Sequence, residues 1–192
     1  MKNIDRVKQS IEAIISLSGV PEDPVHSKNT LQWVLRLDPH ADQAIQIAAL
    51  GHDIERAVDG RKVRRGDFEN YDQFKAAHAR NSVKILGEIM SECGLEEPLI
   101  EQVAELVLRH EVGGDERSDL LKDADSLSYF EVNLPHYFTR HGWEETKRRC
   151  TWGYRRLSEK VRPWIAEFTF ENKDLTALVR EVIEEGRSRR PR

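Results

Sequence analysis

Ala44–Arg56, AIQIAALGHDIER, is the stretch on which the fold turns. Ala44, Ile45, Ile47, Ala48, Ala49 and Leu50 leave almost no polar face, and a helix that is apolar all round is buried on nearly every side. Such a helix needs a shell of other helices. The run closes on His52 and Asp53, and a carboxylate at the end of a buried helix is costly unless it is paired or bound to a cation. Its partners must come from elsewhere in the chain.

Upstream, Ile4, Val7, Ile11, Ile14 and Leu17 mark one face of a helix over Asn3–Gly19. Asp23 then serves as N-cap, with Pro24 in the first helical position. His26, Thr30, Trp33 and Leu37 share a single stripe of that next helix, so the His26 imidazole points inward. Asp38-Pro39 ends it and leaves His40 in a solvated turn.

Downstream, the central helix is expected to reach about Arg56. VDGRKVRRGDFEN then reads as a loop carrying Arg61, Lys62, Arg64 and Arg65. Tyr71–Glu92 is a long helix with Phe74, His78, Ile85 and Ile89 on one face, closed by Gly94. Pro98 opens another, whose stripe of Leu99, Val103, Leu106, Val107 and His110 stops at Gly113-Gly114. Arg117–Glu131 places Leu121, Ala124, Asp125 and Ser128 on one side. Pro135 is read as an interruption, with His136 and His141 at the surface of a connection. A charged helix, Glu144–Trp164, and a final one, Lys173–Glu185, follow.

No segment alternates as a half-buried strand does, so the fold class is all-α. One helical domain is expected over 1–187, with a motif-bearing core at 24–131 and a C-terminal helical extension at 135–187. A basic tail at 188–192 is expected to be disordered. The chain of 192 residues is 33% charged with a net charge of -4, which argues against general nucleic-acid binding. No apolar run is long enough to span a membrane and the N-terminus lacks a secretory pattern, so a cytoplasmic location is expected. Cys93 and Cys150 are too few and too far apart for a thiolate site, so any metal is held by His, Asp and Glu.

A single histidine on an apolar stripe is ordinarily a hydrogen-bonded core residue. Here His26, His52, His78 and His110 all fall on buried faces, Asp53 and Asp125 join them, and no lysine or arginine shares those stripes. A divalent cation would satisfy all six, because imidazole and carboxylate are its ligands when thiolates are absent. His52 and Asp53 point about 100° apart on a helix, yet an ion near the helix end lies within reach of both, and Asp53 can offer its second oxygen to a neighbouring ion.

The order His26, His52-Asp53, Asp125, with AALGHDIER and LLKDADSL as its two motifs, resembles the HD-domain superfamily of metal-dependent phosphohydrolases over roughly Pro24 to Glu131. The resemblance implies an HD-domain-like helical bundle in which His26, His52, Asp53 and Asp125 are the primary metal ligands. Asp125 rather than Asp123 takes the ligand position, leaving Asp123 behind it or at the surface. His78 in AAHARNS and His110 in LRHEVGG are similar to the histidines of two-metal HD proteins, with Asp53 as the bridge. The GYP signature of cyclic-dinucleotide phosphodiesterases is missing, and Arg56 and Ala57 stand where alarmone hydrolases carry Glu-Asp, so neither substrate is expected.

The implied activity is hydrolysis of a phosphate ester, a small phosphomonoester or nucleotide, by a metal-activated water. One or two divalent ions (Fe, Mn, Co, Ni, Zn or Mg) would serve as cofactor. Asp53, Arg56 and Glu55 are the candidate catalytic residues, with Glu55 or Glu111 as proton donor. Arg56, Lys75 and Arg80 are candidates to offset phosphoryl charge, and Arg61 and Arg64 to contact the anionic substrate. The alternatives are an HD-type di-iron oxygenase, which uses the same six ligands, and a non-enzymatic sensing domain that retains metal.

Overall fold

A computed structural model describes residues 3–188, and every regular element within them is helical. The order is α1 (Asn3–Ile15), α2 (Asp23–Leu37), α3 (Gln43–Gly51), α4 (Tyr71–Glu92), α5 (Glu97–Arg109), α6 (Glu116–Ser128), α7 (Leu134–Arg156), α8 (Arg162–Ile165) and α9 (Lys173–Ser188). Short 3-10 turns at Ile54–Ala57 and Arg65–Asp67 interrupt the basic connection between α3 and α4, and a π-helical turn, Tyr129–Asn133, joins α6 to α7. No described helix is long and apolar enough to cross a membrane.

The apolar stretch behaves as its composition dictates. Ala44 through Leu50 are buried at every apolar position, and α3 packs among α1, α2, α5 and α6. Asp42 caps it by accepting from the Ile45 N–H at 3.1 Å, and the same carboxylate holds Arg117 at 2.7 Å, tying the start of α3 to the start of α6. Its far end meets the Leu86 side chain of α4. A Cβ on Gly51 would lie 2.5 Å from Leu86 Cδ2, so any larger residue there would require the Leu86 side chain to move.

Several boundaries differ from expectation. α3 stops at Gly51 rather than continuing to Arg56: His52 keeps helical angles, and Asp53 leaves them at φ -106° and ψ 14°. Hydrophobic periodicity could not mark this end, because Ile54 is also fully buried. α1 ends at Ile15, short of Gly19, and α2 begins at Asp23 with Glu22 outside it. Pro135 does not interrupt. It occupies the first turn of α7, where a missing N–H costs nothing, so His136 and His141 are helical and the chain bends instead at Gly142, φ +70°. α7 ends at Arg156, leaving Trp164 in the separate α8. α9 extends through Ser188, so the expected basic tail retains only 189–192, which lie outside the described residues.

The C-terminal helices are continuous with the rest of the interior. Phe130, Leu134, Cys150, Leu157, Leu178 and Val182 join the same apolar cluster as α3. The π-helical turn is fastened to α2 by Glu131, which accepts from Trp33 Nε1 at 2.7 Å and Asn29 Nδ2 at 3.0 Å. Asp123, expected behind the ligands or at the surface, is fully buried and accepts from the Ser158 N–H at 2.8 Å, which pins α6 to the end of α7.

Candidate metal centre

The six residues singled out on five separate helical stripes converge. His26 Nε2 and His52 Nε2 lie 3.2 and 3.5 Å from Asp125 Oδ1. Asp53 Oδ1 lies 2.7 Å from His78 Nε2, 3.7 Å from His52 Nε2 and 4.0 Å from His110 Nε2. The donors form two triads, His26-His52-Asp125 and Asp53-His78-His110, each with its ligand atoms within 4.8 Å of one another. Asp53 stands between them, and the break in the helix after Gly51 is what turns it there beside His52.

Each imidazole is oriented from behind. The Ala49 carbonyl lies 3.1 Å from His52 Nδ1, and the Val107 carbonyl lies 2.6 Å from His110 Nδ1. A carbonyl only accepts, so both nitrogens carry hydrogen and Nε2 is left as the inward donor atom. Ser128 Oγ sits 2.8 Å from His26 Nδ1 and 3.1 Å from the His26 carbonyl. The single hydroxyl proton must go to the carbonyl, so Nδ1–H donates to Ser128 and Nε2 again faces inward. His78 donates its Nδ1–H to Glu55 Oε1 at 2.6 Å. Outer partners of this kind fix tautomer and ring direction in metal-ligating histidines.

The two carboxylates are built alike. Asp53 gives Oδ2 to Arg56 at 3.1 Å, and Asp125 gives Oδ2 to Arg156 at 2.8 Å, while each Oδ1 faces the histidines. The cation beside Asp125 comes from outside the ligand-bearing stripes: Arg156 arrives from α7. Burial opposes ionisation of both aspartates, but the neighbouring His52 and Arg156 charges outweigh it and hold them well below the usual carboxylate range. Burial also opposes charging of His52 and His78, yet the Asp53 carboxylate raises them to about 9 and about 10. His110 is pushed down by burial and stays neutral.

The donor set fits a divalent cation. Two ligands of one transition-metal ion at about 2.1 Å lie roughly 3.0–3.5 Å apart, the scale of the separations around Asp125 Oδ1. His52 Nε2 is buried without a hydrogen-bond partner, a state that a cation would relieve. A family model described as "Domain of unknown function (DUF4202)" matches residues 3–179. The chain belongs to this family. No curated protein and no solved structure matches it.

In this DUF4202 chain every residue of the two triads except His52 lines a cavity of about 540 Å³, and the structure sorts the remaining candidates by whether they reach it. Arg56 lines the cavity, bound to Asp23 at 2.9 Å as well as to Asp53. Lys75 lines it too, 2.6 Å from Glu111. Arg61, Arg64 and Arg80 do not. Arg61 pairs with Glu88, and Arg64 and Arg80 are exposed outside the lining, because the loop and the outer face of α4 turn them away. Glu55 lines the cavity as well: it is 1% exposed, one oxygen accepts from the His78 Nδ1–H, and the other accepts from the Val63 N–H at 2.9 Å. Glu111 lies between Lys75 and Arg156, and although burial opposes ionisation, the neighbouring cations keep it ionised below its ordinary range, unsuited to donating a proton.

Part of the wall of the DUF4202 cavity lies outside the sequence motifs. Tyr129, Arg149, Trp152 and Arg156 come from the π-helical turn and α7. One sign was available, since Arg149, Trp152 and Arg156 repeat at i, i+3 and i+7 on one helical face.

Proposed function

We propose that this DUF4202 chain is a metal-dependent phosphohydrolase of the HD type, acting on a small phosphate ester. One observation carries the reading: four Nε2 atoms, each aimed by a partner on its own Nδ1, converge with two aspartate oxygens, and five of these six residues, all but the buried His52, line a cavity walled by arginine and lysine. His26, His52 and Asp125 would hold one divalent ion and His78, His110 and Asp53 a second, with Asp53 also beside His52. Bound there, such ions supply the acidity that makes water nucleophilic near pH 7 and the positive charge that polarises a phosphoryl oxygen.

The chain's own residues do the rest. Arg56 and Arg156 hold the outer oxygens of the two aspartates, so Oδ1 of each stays turned inward. Lys75, 9% exposed at the cavity edge, adds positive charge where an anionic ester would enter. Glu55 keeps the His78 ring in register. Glu55→Gln preserves the shape but removes the charge behind that ring, and is expected to weaken divalent-ion affinity by about 10-fold or more, measured by titration of the chelator-treated protein.

Ion binding is also expected to release protons. With His52 at about 9 and His78 at about 10, both are charged at pH 7 before the ion binds, whereas the aspartates are already ionised. Each Nε2 gives up its proton to become a ligand, so about two protons per chain leave at pH 7. Release diminishes as pH rises through 9 and 10. Calorimetric titrations in buffers of different ionisation enthalpy measure it.

The activity is tested by elemental analysis of protein purified without chelator, followed by a phosphate-release screen over phosphomonoesters and nucleotides with Mn, Co, Ni, Fe or Zn. Metal-dependent phosphate release supports the reading. Stoichiometric iron with oxygen consumption and no phosphate release would replace it with oxygenase chemistry.

A further inference from the structure

We infer that the cavity holds a second oxyanion, apart from any group at the histidine-aspartate centre, and that Arg149 is its anchor. The substrate class that follows is a phosphate ester carrying a further anionic group. This rests on the phosphohydrolase reading for the ester and on Arg149 alone for the second anion.

Of the cavity-lining cations that are not exposed, Arg56, Lys75 and Arg156 are already committed to carboxylates. Arg56 binds Asp23 and Asp53, Arg156 binds Asp125 and Glu111, and Lys75 binds Glu111. Arg149 differs. It is half-buried in the cavity wall, and no carboxylate of the described residues pairs with it. Its hydrogen bond goes to the neutral Tyr71 hydroxyl at 3.3 Å. A guanidinium withdrawn from water without a counter-ion is costly, and this one keeps most of its five donors free.

The group is also held still. Its Cζ lies 4.5 Å from the Trp152 ring centroid and 5.2 Å from that of Tyr129, so two aromatic faces fix it before a ligand arrives. Lys75 Nζ lies 4.1 Å from the same Trp152 centroid, and Arg156 Cζ lies 5.6 Å away. Three cations thus surround one indole, with Glu111 and the ligand Asp125 as their carboxylate partners. The local excess is positive, and planar guanidinium on an immobile platform suits bidentate binding of phosphate or carboxylate.

Position separates this group from the centre. Arg156 touches Asp125 and the His110 carbonyl, whereas Arg149 is attached seven residues earlier on α7, about 10 Å along the helix axis. Both guanidinium groups lie against the Trp152 ring, 4.5 Å and 5.6 Å from its centroid. The cavity, at about 540 Å³, falls within the range of roughly 300–1,000 Å³ usual for small-molecule sites, enough for a ligand that spans both ends.

Isothermal titration of the metal-loaded protein with inorganic phosphate is expected to give two phosphates per chain, and Arg149→Gln one. Arg149→Lys, which keeps the charge, should recover part of the second event, and circular dichroism checks that both variants fold. The kinetic arm compares fructose 1,6-bisphosphate with fructose 6-phosphate: Arg149→Gln should lower the ratio of their kcat/KM values by about 10- to 100-fold. An equal loss for both esters would place the oxyanion at Arg149 as the scissile group itself and overturn the second subsite. Unchanged phosphate stoichiometry in Arg149→Gln overturns the anchor. If no ester is hydrolysed while Arg149→Gln still loses one phosphate, the phosphohydrolase reading fails and the subsite stands.

Discussion

Asp53→Asn is expected to reduce bound metal from two ions per chain to one or fewer, and to lower phosphate-ester hydrolysis on the order of 10³-fold or more. The substitution is nearly isosteric, so the loss is one of charge. Asp53 Oδ1 lies within 2.7–4.0 Å of three Nε2 atoms, and Oδ2 receives Arg56. Among the described residues no other carboxylate touches both triads. Asparagine there would leave His52, His78 and Arg56 facing a neutral amide, and each imidazole would lose the carboxylate that raises its pKa most, keeping only Asp125 beside His52 and Glu55 beside His78. Elemental analysis and steady-state rates on the same preparation measure both effects, and full metal content in the variant would show that Asp53 bridges nothing.

Arg156→Met should cost about 3–5 kcal/mol of stability, the scale for removing one partner of a buried ion pair. The guanidinium is 11% exposed, and its carboxylate partners, Asp125 and Glu111, are 12% and 19% exposed, so solvent cannot replace it. It also donates to the His110 carbonyl at 2.7 Å. Methionine fills the stem's volume and leaves two carboxylates and a carbonyl without their donor. For a chain of this size the melting temperature should fall by about 10 °C, read by thermal denaturation. Arg156→Lys, retaining the charge without the fork, should lose less. A shift under about 2 °C for Arg156→Met would show that the carboxylates are compensated elsewhere.

The helix types and most of the ligand set were legible because each rests on a local rule. Tyr71–Glu92 has the bounds its periodicity and Gly94 predict, and His26, His78, His110 and Asp125 lie inward because their stripes do. What escaped was set by tertiary contact. Nothing in AALGHDIER shows that the helix stops at Gly51, since Ile54 continues the apolar pattern; the close approach of Gly51 to Leu86 and the pull of His78 on Asp53 decide it. Arg61, Arg64 and Arg80 are near the motif in sequence, and proximity in sequence says little about which way a side chain on a loop or on the next helix faces. Arg156 lies 31 residues from Asp125, beyond the span of either motif, and its role depends on the π-helical turn and the bend at Gly142 that carry α7 back over the cavity. A charged helix reads as solvated when its partners are distant carboxylates rather than neighbours at i+4.

The claim that two cation sites share Asp53 is tested most directly by anomalous diffraction from crystals of protein purified without chelator, recorded at the absorption edge of whichever metal elemental analysis finds. The account predicts two peaks, one among His26, His52 and Asp125 and one among Asp53, His78 and His110. A metal-loaded crystal with its peaks elsewhere, or protein that takes up no metal while all six side chains hold these positions, would contradict it.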